Sequence, residues 1–195
     1  MFALPLRLKW LENSSDGRNW LRELPAHVKA SADRWELRLE PPYADSYVSI
    51  VFPAALADGS PAVLKIQYPH PEGEHEAEAL RRWNGQGAVR LFAHEAKHYA
   101  LLMERSEPGD PLAGIGADEA LKVFVDLLPR LWVNADRPFM SLCKESAGWA
   151  EQLPASSMPP LRLSMLSEEP MASRPCFIKI SMGTTCYERR ANLGS

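Results

Sequence analysis

The sequence has few cysteines, no excess of basic charge and no long hydrophobic run. Its three cysteines, Cys143, Cys176 and Cys186, show no C-x-x-C spacing, which argues against a disulfide framework or a zinc cluster. A formal net charge of -3 favours neither nucleic acid nor an anionic membrane as a partner. The first residues are too charged for a signal peptide, and no later run approaches membrane-spanning length. We therefore expect a cytoplasmic protein.

The first part of the chain predicts a helix followed by a hairpin. The first forty residues look helical, and Pro25 suits the first turn of a helix that runs towards Trp35. Strand composition then appears over 47–52 and over 62–66. Asp58-Gly59 lies between these strands and predicts a hairpin turn, because glycine readily adopts positive φ.

The same kinds of signal predict the later elements. These are a helix over 74–83 ended by Asn84-Gly85, an antiparallel strand pair over 89–93 and 99–103, and helices over 118–133 and 141–153. Pro129 should kink or shorten the helix over 118–133. A cluster of proline, glycine and acidic residues over 107–111 is typical of a boundary between two lobes.

Lys65 is the strongest candidate for chemistry. It lies in the apolar strand Val63-Leu64-Lys65-Ile66, ahead of a helix that carries glutamates. A strand lysine fixed by a helix carboxylate is the arrangement that holds the α- and β-phosphates of ATP in kinases. Glu76 is our choice for the partner, and Glu74 and Glu78 are close rivals. A surface lysine on an edge strand is the simpler interpretation, but the order of strand, helix, hairpin and turn favours a nucleotide site.

A second motif has the H-E-x-x-H pattern of zinc proteases, at His94-Glu95-Ala96-Lys97-His98. Its chemistry needs a helix, on which the two histidines share one face. The flanking residues predict strands joined by a polar turn, and no histidine follows His98. A zinc hydrolase is therefore the least favoured alternative, and a chance match explains the motif better.

Two longer segments carry a family resemblance. W-N-G-Q-G-A-V-R-L at 83–91, followed by L-L-M-E-R at 101–105, resembles the aminoglycoside/hydroxyurea antibiotic resistance kinases, which include the streptomycin 6-phosphotransferases. The resemblance covers roughly residues 20 to 150 and includes the hairpin at 58–65. It implies a protein-kinase-like fold and the transfer of the ATP γ-phosphoryl group, with Mg²⁺, to an alcohol of an aminoglycoside.

The resemblance also implies roles for individual residues. Lys65 would bind phosphate and Glu76 would pair with it. The turn from Ser46 to Ser49 would lie over the phosphates in place of a glycine-rich loop. The hinge against adenine would consist of three consecutive residues, Met103, Glu104 and Arg105.

The second half of the sequence departs from the family pattern. Because no histidine follows His98, the H-x-D-x-x-x-x-N catalytic loop has no counterpart. Back-translation of 177–188, read from the third base of each codon, permits H-Q-D-L-H-G-D-N-V-L-R, which has the form of the missing loop. We hypothesise a frameshift between about residues 142 and 177, and the nucleotide sequence tests it.

The sequence as a whole predicts an α+β kinase-like amino-terminal lobe over 1–106, consisting of an antiparallel sheet and a helix. Only the first helices of a carboxy-terminal lobe are expected, over 107–153, and 154–195 is expected to be a disordered tail outside the family pattern. The family function is ATP-dependent phosphorylation of an aminoglycoside such as streptomycin. Because the catalytic loop is missing, we expect this chain to bind nucleotide weakly without turnover. The alternative is a non-catalytic nucleotide-binding or interaction fragment.

Overall fold

The computed structural model describes residues 2–110, 112–134 and 137–139. The chain divides into two compact units, and the first contains every helix and strand in the described residues. The second covers 132–179 and is described only at 132–134 and 137–139, which form no helix or strand. The predicted helix over 141–153, the tail over 154–195 and the frameshift hypothesis lie outside the described residues. Among those residues, no helix is both long and apolar enough to span a membrane.

Helices occupy most of the first forty residues, as the sequence predicted, but the longer of them begins well before Pro25. A 3₁₀ helix over Leu6–Asn13 leads into α1, Ser15–Arg34, and the Ser14 hydroxyl caps α1 by accepting from the Gly17 backbone N–H at 3.0 Å. The predicted start at Pro25 is wrong, since this proline lies inside the helix. A proline in a helix removes one hydrogen bond. The buried stripe of α1 on both sides of Pro25 outweighs that loss; it consists of Trp20, Leu24, Val28 and Ser31.

Five antiparallel strands form one sheet in the order β1-β2-β3-β5-β4. They are β1 Arg38–Leu39, β2 Ser49–Ala55, β3 Pro61–Gln67, β4 Leu91–Glu95 and β5 Ala100–Glu104. The predicted hairpin between β2 and β3 is confirmed. Gly59 has φ +88° in its turn, and the Ser60 N–H donates to the Asp58 carboxylate at 2.8 Å.

Helix α2, Glu76–Trp83, lies between β3 and β4 in the chain. It ends at Asn84, whose φ of +44° is the left-handed conformation expected of a helix stop. The second hairpin lies slightly later than predicted. A 3₁₀ turn over Ala96–His98 joins β4 to β5, and Tyr99 after it has φ +53°.

One face of the sheet forms the core. Side chains from the central strands pack there against side chains of α1 and of the 3₁₀ helix before it. The strand residues are Ile50, Phe52, Leu64, Ile66 and Ala100, and the helix residues are Leu8, Leu11, Trp20, Leu24 and Val28. Because side chains alternate along a strand, the residues between these point to the opposite face. Lys65 lies on that opposite face. The core therefore leaves the other face of the sheet to α2 and the candidate site.

Helix α3, Ala117–Leu131, follows the turn region after β5. Pro129 lies in its last turn, and the helix ends at Leu131, which agrees with the predicted shortening. The Trp83 indole N–H donates to the Leu131 carbonyl at 3.1 Å, so the end of α2 is joined to the end of α3. The apolar side chains of α3 are partly open to solvent, with Leu121 61% and Phe124 43% exposed.

Candidate functional site

A buried ion pair lies on the face of the sheet opposite the core. The Lys65 ammonium is 2.7 Å from one carboxylate oxygen of Glu76 and 2.8 Å from the other. The two side chains are only 12% and 10% exposed. Of the three glutamates considered from the sequence, the structure places Glu76 against Lys65. Glu78 instead pairs with arginines of its own helix, and Glu74 is exposed.

The sheet and α2 together explain this geometry. Lys65 lies on the central strand β3, with Val51 of β2 and Leu101 of β5 as its cross-strand neighbours. These neighbours are buried, so the lysine side chain leaves the sheet through an apolar surface. Glu76 begins α2, where the helix dipole favours a carboxylate. The pair therefore depends on the register of three strands and on where α2 begins.

The burial of this ion pair costs free energy, because both charges lose their contacts with water. Removing two charges from water costs several kcal/mol per ion, which the attraction between them offsets only when the geometry is good. A buried ion pair is thus weak evidence for stability. It is better evidence for a site at which a positive charge must be held in one position.

Gln67 belongs to the same cluster, although the sequence reasoning did not name it. Its side-chain N–H donates to the Glu76 carboxylate oxygen Oε2, which also contacts Lys65. Gln67 lies two residues after Lys65 on β3, so both side chains point to the same face. This period-two spacing was the sequence signal that could have found it.

Two further predicted residues lie on the face that carries Lys65. Ser49 opens β2 directly opposite Gln67, and directly opposed residues of antiparallel strands share a face. Met103 is directly opposite Val63, and Val63 shares its face with Lys65. Both predicted residues are buried, with Ser49 4% and Met103 8% exposed. The structure therefore brings these two residues to the face of the ion pair.

Of the remaining predicted residues, Glu104 and Arg105 make contacts elsewhere. Ser46 is buried in the irregular segment before β2. Glu104 lies opposite Ala62, which belongs to the core side of the sheet, and its carboxylate accepts from the Arg90 backbone N–H at 3.1 Å. Arg105 donates to Glu40 at 3.0 Å, and this hydrogen bond raises the pKa of the guanidinium. The Glu104 and Arg105 side chains thus take part in contacts that do not involve Lys65.

The structure does not support the zinc-hydrolase alternative. His94 is on β4, whereas His98 ends the 3₁₀ turn after it, so the two do not share a helix face. The His98 Nδ1 atom is instead 3.1 Å from His27 Nδ1 on α1. Within the described part of the chain, no three His, Cys, Asp or Glu residues are grouped so that they could hold a metal ion.

Comparison with known proteins gives the family. Residues 34–157 match the family model described as aminoglycoside/hydroxyurea antibiotic resistance kinase. The chain belongs to this family. This match confirms the resemblance carried by the segments at 83–91 and 101–105. It also agrees with the antiparallel sheet and helix predicted for a kinase-like amino-terminal lobe.

Three curated relatives show how much of a family member the chain covers. A streptomycin 6-kinase of Streptomyces glaucescens is 37% identical over 141 residues, which are 71% of this chain and 46% of that protein. A streptomycin 6-kinase of Streptomyces griseus is 36% identical over 143 residues, 72% of this chain and 47% of that protein. A hydroxyurea phosphotransferase of Kitasatospora aureofaciens is 34% identical over 145 residues, 72% of this chain and 43% of that protein. The chain spans about half the length of the relatives it matches.

Proposed function

We propose that this chain provides the nucleotide-binding lobe of a cytoplasmic, ATP-dependent phosphotransferase whose acceptor is an alcohol of an aminoglycoside such as streptomycin. The observation that carries the proposal is the buried Lys65–Glu76 pair on the face of the sheet opposite the core. The comparisons support the proposal because two relatives are named streptomycin 6-kinase. The pair alone fits any kinase-like site, so the antibiotic comes from the relatives.

The ion pair is suited to hold phosphate. Glu76 contacts Lys65 through both carboxylate oxygens, which fixes the ammonium group above the sheet. A lysine ammonium has three donor hydrogens, so it can bind a phosphate oxygen while it still contacts Glu76. The low-dielectric surroundings strengthen that attraction, and a charge already in position needs little rearrangement when ATP binds.

The other predicted residues have assigned places in this proposal. Ser46 and Ser49 lie in or beside the segment that would cover the phosphates. The strand end at Met103, Glu104 and Arg105 would contact adenine, with Met103 as the apolar side chain on the site face. These assignments use the family resemblance, and Ser49 and Met103 are supported by their position beside Lys65.

The metal and the proton acceptor have no assigned residues. Kinases hold Mg²⁺ with carboxylate and amide oxygens, but the described residues contain no suitable group of three ligands. We therefore assign no step to the metal. The sequence also has no H-x-D-x-x-x-x-N run, which in kinases supplies the residue that accepts the hydroxyl proton. For this chain by itself we expect ATP binding without phosphoryl transfer.

The first test is an ATP titration of the full chain by calorimetry. Lys65→Ala and Lys65→Met should each weaken ATP binding by at least about tenfold, since they remove the phosphate contact. The control is Lys29→Ala, because Lys29 is an exposed lysine that pairs with Asp33 on α1. If both Lys65 variants bind ATP as tightly as the wild-type chain, the proposed site is wrong.

The second test asks whether the chain by itself catalyses phosphoryl transfer, which the missing H-x-D-x-x-x-x-N run argues against. A coupled assay with Mg²⁺, ATP and either streptomycin or hydroxyurea measures ADP release. ATP binding without turnover supports the non-catalytic function for the chain alone. Turnover with one acceptor would show that residues other than the expected loop complete the reaction.

A further inference from the structure

We infer that Gln67 is a positioning residue, which holds the Glu76 carboxylate in the orientation that presents the Lys65 ammonium to phosphate. The inference rests on the proposed nucleotide site. It goes beyond that proposal because it gives a role to Gln67, an uncharged residue to which the proposed function assigns none. Gln67 donates to Glu76 Oε2, and Lys65 contacts that oxygen at 2.8 Å and Oε1 at 2.7 Å.

The two donors to Glu76 differ in charge, and this difference matters when a phosphate binds. An incoming phosphate competes with Glu76 for the ammonium hydrogens of Lys65. The amide of Gln67 carries no charge, so the phosphate attracts it much less. Gln67 can therefore keep one carboxylate oxygen in place while Lys65 shares its donors.

Burial makes the second donor necessary. The Glu76 side chain is only 10% exposed, so water is poorly placed to replace a lost hydrogen bond. A buried carboxylate with an unsatisfied oxygen is unfavourable, and it would rotate or draw Lys65 back. Either response would move the ammonium away from its position for phosphate binding.

Two hydrogen bonds fix the backbone of Gln67 and so limit the positions that its side-chain amide can take. Its N–H donates to the Tyr99 carbonyl at 2.9 Å, and its carbonyl accepts from the Trp20 indole at 3.0 Å. These bonds connect this end of β3 to the turn before β5 and to α1. The side chain thus starts from a fixed point.

Gly73 leaves the space that the Gln67 amide occupies. A Cβ atom at position 73 would lie 3.2 Å from Gln67 Nε2 and 3.1 Å from His70 Nε2, which is closer than ordinary contact. Gly73→Ala should therefore displace the amide without removing it. This gives a second way to disturb the same hydrogen bond from outside the ion pair.

The test measures the affinities of the full chain for ATP and for adenosine, together with the melting temperature. Gln67→Met keeps the length of the side chain and removes the donor. It should weaken ATP binding by about tenfold and leave adenosine binding unchanged, because only the phosphates contact Lys65. Gly73→Ala should show the same selective loss, to a smaller degree. Gln86→Met is the matched control, since Gln86 is exposed in the loop after α2.

A charge-changing variant adds a pH profile. In Gln67→Glu the new carboxyl faces the Glu76 carboxylate, whose repulsion raises its pKa. The Lys65 ammonium acts in the opposite direction, but it is already paired with both oxygens of Glu76 and therefore offsets this repulsion only in part. Once protonated, it can donate to Glu76 as the amide does. ATP affinity of this variant should therefore improve, relative to the wild-type chain, as pH falls from about 8 to about 6.

The outcomes separate this inference from the proposed function. If the wild-type chain binds no ATP, the proposed function fails. If it binds ATP and Gln67→Met binds ATP equally well, the positioning role is wrong. An equal loss of ATP and adenosine affinity, or a Gln67→Glu profile parallel to that of the wild-type chain, would mean that Gln67 only supports the fold, which also overturns the inference.

Discussion

At the scale of single residues, the Lys65–Glu76 pair makes more hydrogen bonds than the sequence pattern indicates. Each of the two carboxylate oxygens of Glu76 contacts the same ammonium group, and Gln67 adds a further donor. Loss of one partner from a buried pair leaves the other charge without compensation. Loss of both charges leaves no such penalty, so the two kinds of change should differ in their effects on stability and binding.

Lys65→Met should lower the free energy of unfolding by about 3 kcal/mol, because the Glu76 carboxylate remains buried. The double variant Lys65→Met with Glu76→Gln should recover most of that loss and still bind ATP poorly. Chemical denaturation and ATP titration of the same samples check both statements. A double variant that is less stable than Lys65→Met would show that the pair contributes net stability.

The His27 imidazole gives the described part a pH-dependent contact. Its Nδ1 atom is 3.1 Å from His98 Nδ1, and Glu23 lies 3.8 Å from its other ring nitrogen. Burial, and secondly the neighbouring His98, lower the pKa of His27 below its ordinary value of 6.5, although Glu23 acts in the opposite direction. His27 is therefore neutral in the folded chain under neutral conditions.

This lowered pKa predicts acid sensitivity. The contribution of His27 to stability is complete above pH 6.5 and is lost as pH falls towards its folded-state pKa, because the unfolded chain then binds the proton more readily. Melting temperatures measured between about pH 7 and about pH 5 should fall less in His27→Gln than in the wild-type chain. Equal slopes for the two proteins would contradict the assignment.

At the scale of the elements, the β2–β3 turn depends on the backbone of one glycine. Gly59 has φ +88°, and a Cβ there would meet only the end of Arg38, at 3.9 Å. Space is therefore not the constraint at this position. The constraint is the left-handed backbone conformation, which is unfavourable for residues that have a Cβ atom.

Gly59→Ala should lower the free energy of unfolding by about 1 kcal/mol through this backbone effect. Gly114→Ala is the matched control. Gly114 has no atom of the described residues within 4 Å of the Cβ position and no positive φ, so alanine there should be neutral or slightly stabilising. Thermal denaturation of the two variants gives the comparison, and equal effects would rule out the turn as the cause.

Local sequence signals predicted turns and helix ends well at positions where the backbone requires positive φ. Asp58-Gly59 and Asn84-Gly85 marked a turn and a helix end, because few other residues adopt positive φ easily. Pro25 misled the prediction of α1, since proline is commonest in a first turn but is tolerated elsewhere when a buried stripe holds the helix. Tertiary packing decided that case, and the local sequence does not encode it alone.

At the scale of the whole molecule, contacts between distant parts of the chain were the hardest to predict. Lys65 and Glu76 are close in sequence and were paired correctly from strand and helix order. Arg105 with Glu40, and His27 with His98, are far apart in sequence, and no periodicity relates them. Such contacts follow from the order of the strands in the sheet and from the packing of α1 on one of its faces, which require the assembled fold.

The exposed side of α3 carries several apolar side chains. Leu121 and Val125 are each 61% exposed, and Phe124 and Leu128 lie beside them on the helix. Exposed apolar clusters promote association between molecules. We expect the chain to associate as its concentration rises.

Replacement of Leu121 and Val125 together by lysine should reduce this association, as measured by light scattering over a concentration series. The control is Asp118→Asn with Asp126→Asn, which changes the net charge equally at two exposed polar positions of the same helix. A similar reduction in both double variants would attribute the effect to charge and not to the apolar surface.

The two faces of β3 also affect how members of this family can diverge. Leu64 and Ile66 maintain the scaffold, whereas Val63, Lys65 and Gln67 point to the surface that we assign to the ligand. Neighbouring codons are thus under different selective demands. A lineage can alter its nucleotide preference through the second group while the first group preserves foldability.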